Sequence, residues 1–304
     1  MLLVEVAGAD TLVKHMADFE FIAVLTASTG VSDTVAAQLA ERMVSGPVKR
    51  LSAKAAEFGV SKHFSDARAL SDEFQIDINL IPAANRQKKL LIADMDSTII
   101  PVECIDELAD FAGVKPEVSE ITERAMRGEL DFEQALDARV ALLKGLAEST
   151  LEQCYCERIS LNPGAKTLVR TMNAHGALTA LVSGGFTYFT SRVAKEAGFA
   201  VNQANTLNIE NGVMLGTVAR PILGQRAKLE ALLRFVAERS ISMADVIAVG
   251  DGANDLAMIN AAGLGVAFHA KPALKEAADA VLDYSDLEAL LALQGLPATS
   301  GPSV

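Results

Sequence analysis

Tryptophan is absent from the 304 residues, and aromatic residues of all kinds amount to 5%. So sparse a set of rings leaves little with which to stack unpaired bases, which argues against a reader of single-stranded nucleic acid. Basic residues are the next shortage, with 27 Lys and Arg against 39 Asp and Glu. The formal charge of −12 repels the phosphates of DNA and RNA, so no nucleic-acid partner is expected. A small anionic substrate remains open, provided that local cations or a metal receive it. Cysteine is scarce too. Cys104, Cys154 and Cys156 form neither a disulfide framework nor a Cys-x-x-Cys zinc pattern, which fits a reducing compartment. All three read as buried or partly buried. No apolar run approaches the ~18 residues of a membrane span, and the N-terminal residues lack the basic-then-apolar order of a secretory signal. The expectation is a soluble, cytoplasmic protein with no membrane partner.

What is present is a chain that is 50% hydrophobic and 22% charged, the composition of a folded globular protein. Its length exceeds a usual single core, so two domains, or one domain with an insertion, are expected. The stretch PAANRQKK at 82–89, mixing turn formers with basic residues, marks the division. Residues 1–82 read as a small N-terminal α/β domain, with strands over 21–26 and 74–81 and a helix over 32–43 opened by Ser32. Residues 83–296 form the larger domain, and 297–304 a polar tail.

In the larger part short apolar runs recur: LLIAD at 90–94, ALTALVSGG at 177–185, VIAVGDG at 246–252 and LGVAF at 264–268. Such runs, separated by helical patterns, signal a parallel sheet covered on both faces, that is, a doubly wound α/β fold. In open sheets of this kind the chemistry gathers beyond the carboxyl ends of the strands, which puts Asp94, Ser183 and Asp251 on one rim. About 80 residues separate the first two runs, far more than an ordinary strand-to-helix connection. Helical patterns over 102–111, 117–127, 131–146 and 149–159 make them an inserted helical cap, at about 101–165. Asn211-Gly212, flanked by apolar alternation, marks a hairpin.

The sequence DMDST at 94–98 sets two carboxylates two residues apart at the end of a buried strand. One can attack phosphorus while the other protonates the leaving oxygen and then deprotonates water. Alone, such a pair is more often a cap or a turn. Asp251, in GDGAND at 250–255, adds a third carboxylate, and acidic oxygens with no soft ligand nearby suit Mg²⁺. Ser183 precedes Gly184 and Gly185, which permit close approach of backbone N–H groups to a phosphate. Lys228 lies in a helical stretch over 226–234, where a lone lysine is ordinarily solvated; only the need for a cation beside a phosphoryl group singles it out. Asn254 and Asp255 open the following helix and serve equally as caps. Phe132, Leu136, Arg139 and Leu143 share one helical stripe, and an arginine on an inward stripe wants an anion.

The four motifs, DMDST at 94–98, Ser183, Lys228 and GDGANDLAM at 250–258, resemble in order and spacing those of the haloacid dehalogenase (HAD) superfamily. The cap segments VECIDEL at 102–108, ITERAMRG at 121–128, LDFEQAL at 130–136 and RVALLK at 139–144 narrow the resemblance to its phosphoserine phosphatases. That resemblance implies a HAD-like Rossmannoid core with Asp94 as nucleophile and Asp96 as general acid/base. It implies Mg²⁺ held by Asp94, the backbone carbonyl of Asp96, and Asp251, with Asp255 supporting the metal shell. Ser183 and Lys228 would hold the phosphoryl group, and Gly184 and Asn254 would add substrate contacts. Glu103 would receive the ammonium and Arg139 the carboxylate of O-phospho-L-serine, under an apolar roof of Met126 and Phe132. The products would be L-serine and phosphate, at the last step of serine biosynthesis.

Two other readings stay open on the residues. A HAD-type phosphatase or phosphotransferase acting on another small phosphomonoester uses the same four motifs. A phospho-accepting switch protein would form the same aspartyl-phosphate but hydrolyse it slowly, against which Asp96 argues. The N-terminal part resembles small regulatory domains of the ACT type in element order, which implies amino-acid binding or a homodimer.

Overall fold

A computed structural model describes residues 19–61, 64, 66–126 and 129–298, the side chain of Met126 excepted. Residues 1–18 of the expected N-terminal domain and most of the expected tail lie outside the described residues.

The first part alternates strand and helix: β1 (Phe21–Thr26), α1 (Asp33–Arg42), β2 (Lys49–Ser52), β3 (Ala55–Val60), α2 (Ala67–Phe74) and β4 (Asp77–Pro82). Its sheet has the order β2-β3-β1-β4 with every neighbouring pair antiparallel, the split βαββαβ plan of ferredoxin-like modules. Ser32 caps α1 as expected, its hydroxyl accepting from the Val35 N–H at 3.2 Å. The strand expected over 74–81 begins later, at Asp77. Phe74 ends α2 instead, and Gln75 closes that helix in the left-handed region at φ 55°. A β-forming aromatic at a helix end misled the pattern.

The second part carries a six-stranded, all-parallel sheet in the order β12-β11-β10-β5-β6-β7. These strands are β5 (Leu90–Ala93), β6 (Leu178–Phe186), β7 (Val201–Asn205), β10 (Val246–Gly250), β11 (Leu264–Phe268) and β12 (Ala280–Leu282). Alternate residues face opposite layers. Leu91, Ala93, Ile247 and Val249 join one apolar cluster, with α7 (Ala165–Ala174) and α8 (Thr187–Ala197), while Leu90, Ile92, Val246 and Ala248 join another, with α9 (Gln225–Arg239). Helices thus cover both faces, as the continuous apolar runs require. From β5 the chain builds outward through β6 and β7, then returns to add β10, β11 and β12 on the other side. The switch point therefore falls between β5 and β10, and folds of this kind place their ligand site there, beyond the strand ends.

Between β5 and β6 lie α3 (Cys104–Ala112), α4 (Lys115–Met126), α5 (Phe132–Ala141) and α6 (Ser149–Arg158). The helix expected over 131–146 stops at Ala141. Gly145 (φ 88°) and Leu146 pair with Met214 of the hairpin β8 (Leu207–Glu210) and β9 (Val213–Val218), so tertiary hydrogen bonds replace the last helical turn. Asn211 and Gly212 form its turn, both at positive φ, as the Asn-Gly pair demands. Cys104 and Cys154 are buried, but Cys156 is exposed, which corrects its expected burial: it sits on the outer face of α6 beside Glu152.

The two sheets are joined by polar clasps. Buried Asn79 on β4 accepts from the Val281 N–H at 2.8 Å and donates to the Val281 carbonyl at 3.0 Å, as a neighbouring strand would. Asp77 accepts from the Asp283 N–H at 2.7 Å, and Lys54 pairs with Asp286 at 2.6 Å. Asn79→Ala strands a half-buried N–H and carbonyl, and is expected to cost about 2 kcal/mol of stability. Thermal denaturation checks this; an unchanged midpoint would mean the clasp contributes nothing.

Candidate active site

The switch point assembles the rim that the sequence marked. Asp94 follows β5, Ser183 lies near the end of β6, and Asp251 follows β10; the parallel pairing of β5 with β6 and β10 brings them together. Asp94 and Asp96 are both buried. Asp94 Oδ1 accepts from the Met95 N–H at 2.8 Å and takes Lys228 Nζ at 2.8 Å. Lys228 is 2% exposed and also binds Asp255 Oδ1 at 2.7 Å. This lysine is therefore no solvated face: α9 turns it inward, with its ammonium on two carboxylates. Burial opposes its charge, but Asp255 and Asp94 outweigh burial and hold its pKa above that of ordinary lysine.

Asp96 faces a different set of groups. Its Oδ1 accepts from the Cys104 N–H at 2.8 Å, and its Oδ2 accepts from the Ser183 hydroxyl at 3.0 Å. Ser183 Oγ in turn accepts from the Gly185 N–H at 2.8 Å. A Cβ on Gly185 would meet Asp96 Oδ2 at 2.8 Å and Ser183 Oγ at 3.0 Å, so only glycine lets this backbone approach the pair. Burial pushes the Asp94 carboxyl well up, and the charge of Asp255 adds to it. Burial also raises Asp96, which favours a protonated carboxyl able to donate.

Asp94, Asp251 and Asp255 offer oxygens that all lie within 4.8 Å of one another. Asp255 Oδ2 accepts from the Asp251 and Gly252 N–H groups at 3.2 and 3.3 Å, which fixes the carboxylate at the entrance of α10 (Leu256–Ala261). Asn254, half-buried, folds its amide over Gly252. Burial raises Asp251 as well, with Asp255 adding to it.

Cap residues stand over this rim. The Phe132 ring packs on Gly184 and Gly224, where an added Cβ would come within 2.9 Å of it. Glu103, the residue before α3, accepts from the Ser97 hydroxyl at 2.7 Å. It is open to solvent, yet the surrounding protein and the charge of Asp96 push its carboxyl up to about 7. Arg139 on α5 donates from Nε to the Ala135 carbonyl at 3.2 Å. Burial lowers its pKa, while Asp106, Glu103 and Asp96 oppose that. The side chain of Met126 lies outside the described residues, so its expected place in the roof has no structural counterpart.

The sequence profile of the haloacid dehalogenase-like hydrolases matches residues 91–260, which span β5 to the Asp255 helix. The chain belongs to the haloacid dehalogenase-like hydrolases. This haloacid dehalogenase-like hydrolase is 46% identical over 233 residues to a phosphoserine phosphatase of Archaeoglobus fulgidus, covering 76% of this chain and 67% of that one. It superposes on a probable phosphoserine phosphatase from Vibrio cholerae in its unliganded form with a TM-score of 0.79 and 32% identity, over 91% of this chain and 86% of that one. A third likeness is a solved phosphoserine phosphatase carrying an analogue of a phospho-aspartyl intermediate: TM-score 0.63, 41% identity, 67% of this chain and 98% of that one.

Three residues of the site lay outside the sequence reading. Ser97 holds Glu103, Asp106 contributes negative charge near Arg139, and Asn205 binds the backbone of the two segments that carry Gly184 and Leu223. For Asn205 a signal existed: an asparagine ending a strand is disfavoured unless its amide has work to do.

Proposed function

We propose that this chain is a phosphoserine phosphatase that converts O-phospho-L-serine and water to L-serine and phosphate. The observation that carries the reading is the paired placement of two buried carboxylates. Asp94 is gripped by Lys228, and two residues on Asp96 is hydrogen-bonded to Ser183. The first suits attack and the second proton transfer. Relatives named phosphoserine phosphatase support the substrate.

Asp94 attacks phosphorus, and the bond from phosphorus to the serine oxygen breaks. Protonated Asp96 gives its proton to that leaving oxygen. Ionised Asp96 then takes a proton from water, whose oxygen attacks the aspartyl-phosphate and frees Asp94 and phosphate. Ser183 and Lys228 hold the phosphoryl oxygens in line, the positioning and charge neutralisation that phosphoryl transfer chiefly requires. Glu103 receives the substrate ammonium and Arg139 its carboxylate, beneath Phe132, with Gly184 and Asn254 at the edge of the substrate site.

Four carboxylates, Asp94, Asp96, Asp251 and Asp255, gather around the buried ammonium of Lys228, with Lys271 adding positive charge near Asp251. Three of them are pushed toward protonation, as expected of a site built for a further cation. Their hard oxygens fit Mg²⁺, held by Asp94, the Asp96 carbonyl and Asp251 with Asp255 in support. When bound, such an ion neutralises charge on the phosphoryl oxygens. No helix of the described residues is long and apolar enough to cross a membrane. A cytoplasmic location fits the reading, and the βαββαβ module would serve regulation or a homodimer, as its ACT-like order suggests.

A phosphate-release panel over phosphoserine, phosphothreonine and phosphoethanolamine, with Mg²⁺ or with EDTA, tests both claims. Phosphoserine is expected to be preferred, and EDTA to stop release until Mg²⁺ is restored. Inert phosphoserine overturns the substrate, and undiminished turnover in EDTA overturns the metal.

A further inference from the structure

Asn205 ends β7 and is 2% exposed. Its amide makes three hydrogen bonds, all to backbone. Nδ2 donates to the Gly184 carbonyl at 2.8 Å and to the Leu223 carbonyl at 3.1 Å, and Oδ1 accepts from the Leu223 N–H at 2.7 Å. The two segments so joined are the ones that carry the phosphate-facing residues. Gly184 follows Ser183, and Leu223 precedes Gly224, the N-cap of the helix bearing Lys228.

We propose that Asn205 is a positioning residue for phosphoryl transfer, acting through the Gly184–Gly185 peptide on Ser183 and through Leu223 on the approach to Lys228. The inference rests on the roles given above to Asp94, Ser183 and Lys228. A peptide is planar, so fixing the Gly184 carbonyl also fixes the direction of the Gly185 N–H. That N–H donates to Ser183 Oγ at 2.8 Å. With its acceptor side so occupied, the Ser183 hydroxyl is left to donate to Asp96 Oδ2 at 3.0 Å. One amide thereby sets the rotation of the peptide that orients Ser183, and through Ser183 the carboxyl that moves the proton. The same amide keeps the Lys228 helix in register with that loop, and Phe132 of the cap closes over the glycines of both segments. Without the amide, the Gly184–Gly185 peptide is free to turn and the two phosphate contacts lose their common frame.

The test uses Asn205→Ala, which removes all three bonds, and Asn205→Asp, which keeps the acceptor for Leu223 and loses both donors. Asn173→Ala is the comparison, because the Asn173 amide also ties segments beside β6, donating to the Gly198 carbonyl at 2.7 Å and accepting from the Thr179 hydroxyl at 2.9 Å, but at the end of the strand away from the site. Single-turnover hydrolysis is followed with the full chain in excess over labelled phosphoserine and Mg²⁺. At saturating enzyme its first-order rate constant does not depend on the fraction of molecules folded, so lost stability alone leaves it unmoved. Both Asn205 variants are expected to lower that constant by roughly tenfold to a hundredfold, with KM for phosphoserine near that of the unaltered chain. Asn173→Ala should leave it within about twofold. The role is overturned if the Asn205 variants keep the unaltered constant, if Asn173→Ala loses as much, or if neither Asn205 variant folds, which would make it a folding residue. If the unaltered chain fails to hydrolyse phosphoserine, the failure belongs to the function proposed above.

Discussion

Asp94→Asn is expected to lower phosphate release from phosphoserine by a factor on the order of 10⁴ or more, because it removes the carboxylate proposed to accept the phosphoryl covalently. The fold should survive. The replacement amide oxygen still accepts from the Met95 N–H, a bond of 2.8 Å in the unaltered chain, and the side-chain volume is unchanged. Ionised Asp94 is moreover an electrostatic burden on the folded chain: burial and the charge of Asp255 push its pKa above the ordinary value. A carboxyl whose folded pKa lies above its unfolded one is disfavoured as an anion in the folded state. At neutral pH its ionisation therefore lowers stability, and the loss lessens as pH falls through the folded pKa. Lys228 opposes this, and after the substitution it retains Asp255 at 2.7 Å as a partner. Circular dichroism should then show an intact fold beside an inactive enzyme, and quenched reactions should trap no acid-stable, hydroxylamine-sensitive phosphoprotein. Undiminished phosphate release would sink the covalent mechanism; a collapsed spectrum would show Asp94 to be needed for folding.

How much of this was legible beforehand follows from where each signal resides. Strands β5, β6, β10 and β11 are buried on both faces, so they read as unbroken apolar runs, and their carboxyl ends delivered Asp94, Ser183 and Asp251 to one rim. β7, by contrast, reads VNQAN, with Asn202 exposed and Val201 and Gln203 partly so, and no apolar run announced it. In the N-terminal part, β2 is an edge strand of sequence KRLS, whose charges guard an unpaired edge and hide it from a hydrophobic pattern. Lys228 is the sharpest divergence. Its helical stretch offers no sign of burial, because the carboxylates that hold it come from residues 94 and 255, which only the folded sheet brings near. Cap helix α5 illustrates the reverse: its stripe of Phe132, Leu136 and Arg139 was readable at helical spacing, but its end was not, since the hairpin that terminates it lies some seventy residues later.

Arg139→Ala is expected to raise KM for phosphoserine by about a hundredfold and to leave phosphoethanolamine nearly unaffected. The guanidinium belongs to the inward stripe of α5. Its Nε is engaged by the Ala135 carbonyl of its own helix at 3.2 Å, which fixes the side chain along α5. Among the described residues no carboxylate lies within ion-pair distance of it, although Asp106, Glu103 and Asp96 supply negative charge from further away. Burial lowers its pKa against the charges of Asp106, Glu103 and Asp96, so a carboxylate arriving with the substrate would offset the cost of burying that cation. Both terminal nitrogens are then available for a bidentate pair, a geometry that lysine cannot reproduce, and Arg139→Lys should recover little of the lost affinity. Phosphoethanolamine has the phosphate and the ammonium but no carboxylate. It therefore separates recognition by Arg139 from any general damage to the cap: a variant that merely loosens α5 over the rim weakens both substrates alike. Equal losses in kcat/KM for the two would remove Arg139 from substrate recognition and leave it a packing residue of the cap. A loss confined to phosphoserine would locate selectivity in the cap and chemistry on the sheet rim, as the division between inserted helices and parallel strands implies.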